Sequence, residues 1–199
     1  MSVPQKAVAY IELPEYLALE NASPLKHEYL DGVIYAIQGE PVRGMAGGSQ
    51  AHARIIRNLV VTLHGRLRGT PCEVLAAEMR LRIDAANAVF YPDVLVHCSP
   101  VPAPALATEL TDARLVVEVL SPTTQHFDRG DKLRAYQQLA GLQHIVLLSS
   151  TQMAGWASHR QSDGNWTTPA PWEADTALPL AGLGLELPWP EVWDGVGLA

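Results

Sequence analysis

The chain has 199 residues, is 48% hydrophobic and 18% charged, and carries a formal net charge of -7. That length suits one globular domain with a sizeable core. The acidic balance excludes a protein that coats nucleic acid through bulk positive charge, but not a nuclease whose acids gather at a metal. Cys72 and Cys98 form neither a disulfide framework nor a zinc-ligand spacing, which points to a reducing, cytoplasmic setting. Residues 1–12 lack a signal-peptide profile, and no apolar run is long enough to cross a membrane.

The segment 13–20 reads as a short helix, with Pro14 in its first turn and Leu13, Tyr16, Leu17 and Glu20 along one side. Next, Asp31-Gly32 between the β-rich runs 27–30 and 33–37 is a strong hairpin signal. Glu28 stands three residues before that turn and, taken alone, reads as an exposed charge on an edge strand. Residues 40–48 form a Gly-rich loop. Ser49 is placed to cap a helix over 50–68, whose apolar stripe is Ala51, Ile55, Ile56, Leu59, Val60, Leu63 and Leu67. His52 lies at the start of that helix, one position off the stripe.

Alternation over 73–83 predicts a strand with one wet face, and 89–97 returns beside it as an antiparallel neighbour. A Pro/Ala-rich loop over 99–112 leads to a second buried strand at 114–120. A helix over 128–140 follows, with Asp128 as a candidate N-cap, and then a strand at 144–148. Strand, helix and strand in succession make a parallel crossover. A final hairpin turns at Ser162-Asp163-Gly164. The tail from 171 holds Trp172, Trp189 and Trp193, and that apolar surface suggests a homo-oligomer, with a dimer favoured. The fold class is α/β (α+β): one domain over 1–199 with a mixed sheet flanked by helices and an N-terminal β-hairpin, and with 1–12 and 190–199 at its periphery.

Two apolar runs each carry one acid: Tyr91-Pro92-Asp93-Val94-Leu95-Val96 and Leu115-Val116-Val117-Glu118-Val119-Leu120. A charged group in a buried strand is costly unless something positive pairs with it. If the strands are neighbours, Asp93 and Glu118 converge on one side, and two carboxylates with open positions suit Mg²⁺, with Mn²⁺ as a substitute. Such an ion polarises a phosphate and acidifies a bound water, and a nearby lysine would orient that water and stabilise the transition state.

These residues also carry a resemblance. Pro92-Asp93 followed by Glu118-Val119-Leu120 resembles the PD-(D/E)XK nuclease superfamily. With Tyr16-Leu17, Glu28-Tyr29-Leu30-Asp31-Gly32, His52, Ser121-Pro122, Asp128-Arg129-Gly130, Lys132 and Tyr136, the chain is similar to the Uma-two family of restriction-endonuclease-like proteins over nearly its whole length. The resemblance implies a Mg²⁺-dependent DNA endonuclease with Asp93 and Glu118 as metal ligands. It implies Glu28 as a further acid near the metal and His52 at the border of the pocket. The superfamily's lysine stands two residues after the acid, where this chain has Leu120, so Lys132 in the next helix is the implied replacement. Read without the resemblance, Lys132 pairs with Asp128 or Asp131 on a solvated helix face. Two other readings stand beside the nuclease: a degenerate nuclease fold kept for binding or assembly, and a hydrolase of another phosphoester.

Overall fold

A computed structural model describes residues 10–36, 49–76, 79–101, 104–122 and 125–198. The Gly-rich segment 40–48 and most of 1–12 lie outside them. Among the described residues, no helix is long and apolar enough to cross a membrane.

Helix α1 (Leu13–Ala22) leads into strands β1 (His27–Leu30) and β2 (Val33–Ala36). Their turn is made by Asp31 and Gly32, both at positive φ (44° and 85°), the backbone that a two-residue hairpin demands. A side chain at Gly32 would also strike the Tyr10 ring that lies over it. Helix α2 (Gln50–Leu67) starts at Ser49, whose Oγ accepts the His52 N–H at 3.2 Å. It buries Ile55, Leu59, Leu63 and Leu67, the expected stripe.

The run expected as one strand over 73–83 is two: β3 (Cys72–Ala76) and β4 (Arg80–Ile83). The run at 89–97 is likewise divided into β5 (Ala88–Phe90) and β6 (Val94–Cys98). Pro92 has no N–H to give a ladder, so the chain bends there and moves from one sheet to another. Strands β7 (Glu109–Leu110) and β8 (Leu115–Leu120) follow. The helical run then begins earlier than expected, at α3 (Gln125–Phe127), winds as a π turn over Asp128–Lys132, and ends as α4 (Leu133–Tyr136). Asp128 is therefore inside the run and not its cap. Strands β9 (His144–Ser149), β10 (Gly155–His159), β11 (Ala170–Trp172), β12 (Ala177–Leu180) and β13 (Leu185–Pro188) precede α5 (Trp189–Trp193).

Three sheets result. One has the order β2-β1-β5-β4-β7, the second β11-β10-β9-β8-β6-β3, and β12 pairs only with β13. The β8–β9 pair is parallel across its helical crossover, as expected, and β6–β8 is antiparallel. Side chains alternate along β8, so Leu115, Val117 and Val119 enter the core beneath α2, while Val116 and Leu120 enter a second core around Tyr136. Glu118 shares the second face.

Two expectations change here. The C-terminal end is not peripheral: Trp189, Val192, Trp193 and Val196 are buried against α2. Asn58 Nδ2 donates to the carbonyls of Val192 and Asp194 at 2.9 and 2.8 Å, and Arg66 forms a bidentate pair with Glu191. Trp172, Trp189 and Trp193 are thus covered within the chain, which removes one ground for expecting a dimer. The two cysteines, read from spacing as unpaired, form a disulfide. They stand directly opposite each other on β3 and β6, a pairing that depends on strand register and not on their separation in sequence.

His144 on β9 is buried, and its Nε2 accepts the Gly182 N–H at 3.0 Å, which requires the neutral ring. Burial, and then the facing His159, lower its pKa from 6.5 to about 4. A base with a depressed native pKa contributes stability that is complete above its unfolded pKa and is lost as pH falls. Urea unfolding midpoints should therefore drop as pH is lowered from about 6.5 to 4, and His144→Gln, whose amide oxygen can accept the same N–H without titrating, should flatten that drop.

Candidate active site

The bend between β5 and β6 is the seam where the two large sheets meet, and the acids gather on both sides of it. In the β6–β8 register Val94 faces Val117, so one further antiparallel step brings Asp93 opposite Glu118. Asp93 is thus at the bend and not within a strand. Its Oδ2 accepts the Val119 N–H at 2.7 Å, and its Oδ1 lies 3.1 Å from His52 Nε2 at the start of α2. The Asp93 hydrogen bond holds the His52 imidazole above its ordinary range, against the effect of burial.

Glu28 arrives from the other sheet. Its strand β1 lies between β2 and β5, so it is not on an edge, and Glu28 is buried where an exposed charge was expected. Its Oε1 accepts the Tyr91 N–H at 3.2 Å and lies 2.6 Å from Lys132 Nζ. Lys132 is 4% exposed, and its ammonium also meets Glu118 Oε1 at 2.9 Å and Asp128 Oδ1 at 3.7 Å. It is no solvated helix lysine; Asp131, the other helical candidate, pairs with Arg134. The Phe90 ring lies 5.5 Å from Lys132 Nζ, and the Tyr136 hydroxyl donates to Glu118 Oε1 at 2.5 Å.

Burial works against the Lys132 charge, but Glu118, Glu28 and Asp128 together hold its pKa well above the usual lysine value. Glu118 is pushed well up by burial, and Lys132 offsets this only in part because Asp93, Asp128 and Glu28 add negative charge. Burial likewise raises the Tyr136 phenol, next to Glu118, so it is a fixed donor. Four carboxylates thus surround one ammonium and one imidazole. Glu118 Oε2 accepts no hydrogen bond from the described residues. Among those residues, no group of three or more Asp, Glu, His or Cys side chains is placed to hold a metal ion.

All five residues singled out in the sequence, Glu28, His52, Asp93, Glu118 and Lys132, come to this one seam. The expected helical pairing of Lys132 with Asp128 is present, but in the interior and not on a solvated face; the sequence assigns neither Asp128 nor Tyr136 to the site itself. The available signal was spacing, since Asp128, Lys132 and Tyr136 recur every four residues and side chains four apart share a helical face. An outer layer braces the bend. Tyr91 donates its hydroxyl to Glu20 of α1 at 2.8 Å, and Glu20 also pairs with His27 at 2.9 Å.

The chain is similar to known proteins over this whole framework. It is 35% identical over 183 residues to the Synechocystis sp. protein slr1290, covering 92% of this chain and 90% of that one. It is 30% identical over 152 residues to sll1609 of the same organism, covering 76% and 80%. A solved structure described as "a putative nuclease belonging to DUF820", from Anabaena variabilis, superposes with a TM-score of 0.71 at 19% identity, over 94% of this chain and 99% of that one. At that identity the likeness shows the fold. The family model described as "Putative restriction endonuclease" matches residues 13–190, and the chain belongs to that Uma2 family.

Proposed function

We propose that this protein is a Mg²⁺-dependent DNA endonuclease whose centre is the Asp93–Glu118–Lys132 seam. The observation that carries this reading is the buried Lys132 ammonium held by acids from both sheets beside the facing pair Asp93 and Glu118. Membership of a family described by endonuclease activity supports it, as does a structural neighbour described as a nuclease.

The donor set fits a hard divalent cation. The site carries more carboxylates than cations, and Glu118 is already difficult to ionise in it. Asp93 and Glu118 would hold the ion, and Glu28 offers a further carboxylate oxygen beside them. Few protein oxygens, with waters completing the shell, is the arrangement Mg²⁺ favours. When bound, the ion would polarise a phosphate oxygen and lower the pKa of a water at that phosphate.

The chain's own residues supply the rest. Lys132 retains its proton, so it serves as an oriented positive charge toward a phosphoryl oxygen and not as a general base. Glu28 and Asp128 position its ammonium. Tyr136 and Lys132 both bind Glu118 Oε1, which fixes the carboxylate and leaves Oε2 as its remaining donor atom. His52 is held toward its charged form by Asp93, at the border of the site, where it can donate to a substrate oxygen or to water.

A second reading, a nuclease fold kept for binding or assembly, is favoured by one observation. Leu120 occupies the position of the superfamily lysine, and it is buried in the apolar core, closed to substrate.

Calorimetric titration with Mn²⁺ and Mg²⁺, followed by incubation with plasmid DNA, separates the two. Wild type should bind the ion and nick the plasmid only when it is present, and Asp93→Ala should abolish both. No ion binding by wild type would leave the binding-module reading. Glu118→Gln adds a sharper expectation. It keeps the side chain's shape and leaves Lys132 with Glu28 and Asp128, while removing a buried charge that the site compensates poorly. Its thermal midpoint should be no lower than that of wild type, with ion binding and nicking lost.

A further inference from the structure

Arg129 lies in the π turn that carries Lys132, and the mechanism above gives it no role. Its guanidinium carbon sits 3.7 Å from the centre of the Trp156 ring, close enough for a stacked cation–π contact. Among the described residues no carboxylate or carbonyl accepts from it. Several other arginines are engaged differently: Arg54 donates to the Val196 carbonyl, Arg57 to Asn58 Oδ1 and Arg66 to Glu191. Arg160 donates to the carbonyls of Leu142, Gln137 and Leu139, and Arg134 to Asp131. Burial lowers the Arg129 pKa, and no paired acid offsets it.

The sheet fixes where this cation stands. Glu118 faces Leu147 across β8–β9, and Leu147 faces Trp156 across β9–β10. The three residues form one row, and alternation puts all of them on the face of the core around Tyr136. Trp156 is therefore two strand spacings, about 10 Å, from Glu118. A duplex strand advances about 3.4 Å per nucleotide along the helix axis, so that separation spans at most about three nucleotides. A guanidinium held flat on an indole keeps its N–H edge open, and that edge matches the paired oxygens of a phosphate.

We propose that Arg129, presented by Trp156, is a clamp for a backbone phosphate of the bound DNA strand, within about three nucleotides of the phosphate at the Asp93–Glu118 pair. The proposal rests on the nuclease reading. It assigns the substrate contact to the crossover helix and not to the arginines of α2. A backbone contact of this kind positions the strand without reading its sequence.

The test is fluorescence anisotropy of a short labelled duplex in EDTA, over a series of salt concentrations, with wild type, Arg129→Gln and Arg129→Lys. Arg129 is part-exposed, and thermal melts should show all three proteins equally folded. Each lost phosphate contact lowers the slope of log affinity against log salt by about 0.9. Arg129→Gln should lose about 0.9 of slope and weaken binding about tenfold at moderate salt. Arg129→Lys should keep the slope, since it keeps the charge, but bind less tightly, since an ammonium has neither the fork nor the flat face. Wild-type affinity and slope in Arg129→Gln would overturn the clamp while leaving the nuclease reading intact, provided wild type still nicks plasmid with Mg²⁺. If wild type neither binds the duplex nor nicks plasmid, both proposals fall together.

Discussion

The Lys132 ammonium, enclosed by Glu28, Glu118 and Asp128, is the interaction on which the site's architecture depends. Glu28 comes from the five-stranded sheet, Glu118 from the six-stranded one, and Asp128 and Lys132 from the helical crossover behind β8. One cation thus joins three elements at this seam, beside the apolar core they share. Removing the ammonium would leave three buried acids without compensation, and breaking a buried charge pair in that way typically costs about 3–5 kcal/mol. The same group that suits phosphoryl chemistry is therefore also a fastening between the sheets. The site lies where it does because the chain changes sheets at Tyr91-Pro92-Asp93, and that bend leaves Asp93 outside both ladders, between Phe90 at the end of β5 and Val94 at the start of β6.

Much of this was legible in the residues themselves. Asp31-Gly32 states its turn through local backbone chemistry, and α2 states its buried face through period. Glu118 is visible as a lone acid in an apolar run, which has few cheap structural explanations. What was not legible depends on distant parts of the chain. Alternation over 73–83 and 89–97 reports a wet and a dry face, but it carries no information on which sheet a strand joins, so two sheet changes read as two unbroken strands. The disulfide depends on β3–β6 register in the same way. Asp128 looks like a cap because Asp is a good one, and only the π winding that follows carries it into the interior. A π turn inserts a residue into the helical ladder and is often found at functional sites. Here it holds Asp128, Arg129 and Lys132 within one turn.

The two faces of the six-stranded sheet divide the work. The face under α2 is largely apolar, with the neutral His144 at its end, and is closed by the tryptophans of the tail. The other face admits Glu118 among Val116, Leu120 and Leu147 and so carries a charge that is costly to bury. Marginal stability is a sum over the whole chain, so a dense apolar face on one side can sustain an electrostatically strained one on the other. The bracing of Tyr91 by Glu20, outside the site, serves the same end, since it restrains the bend from α1 without adding a charge to the cluster.

Net charge is a poor guide to what such a seam can bind. At physiological salt the field of exposed charges decays over about 8 Å. A backbone phosphate arriving at Asp93 and Glu118 would respond to Lys132, His52 and a bound cation more than to acids on the far surface. The acids of the cluster repel a bare phosphate, so productive binding requires their charge to be met from both sides: by a divalent ion within, and by positive groups around the rim. Arg129 stands against Trp156, and among the described residues no acid pairs with it. Arg54 and Arg66 of α2 do not serve equally well, because they hold the tail in place. An arginine that fastens one segment to another cannot open to a ligand without releasing that segment, whereas one held only by an aromatic face loses nothing when its edge is engaged.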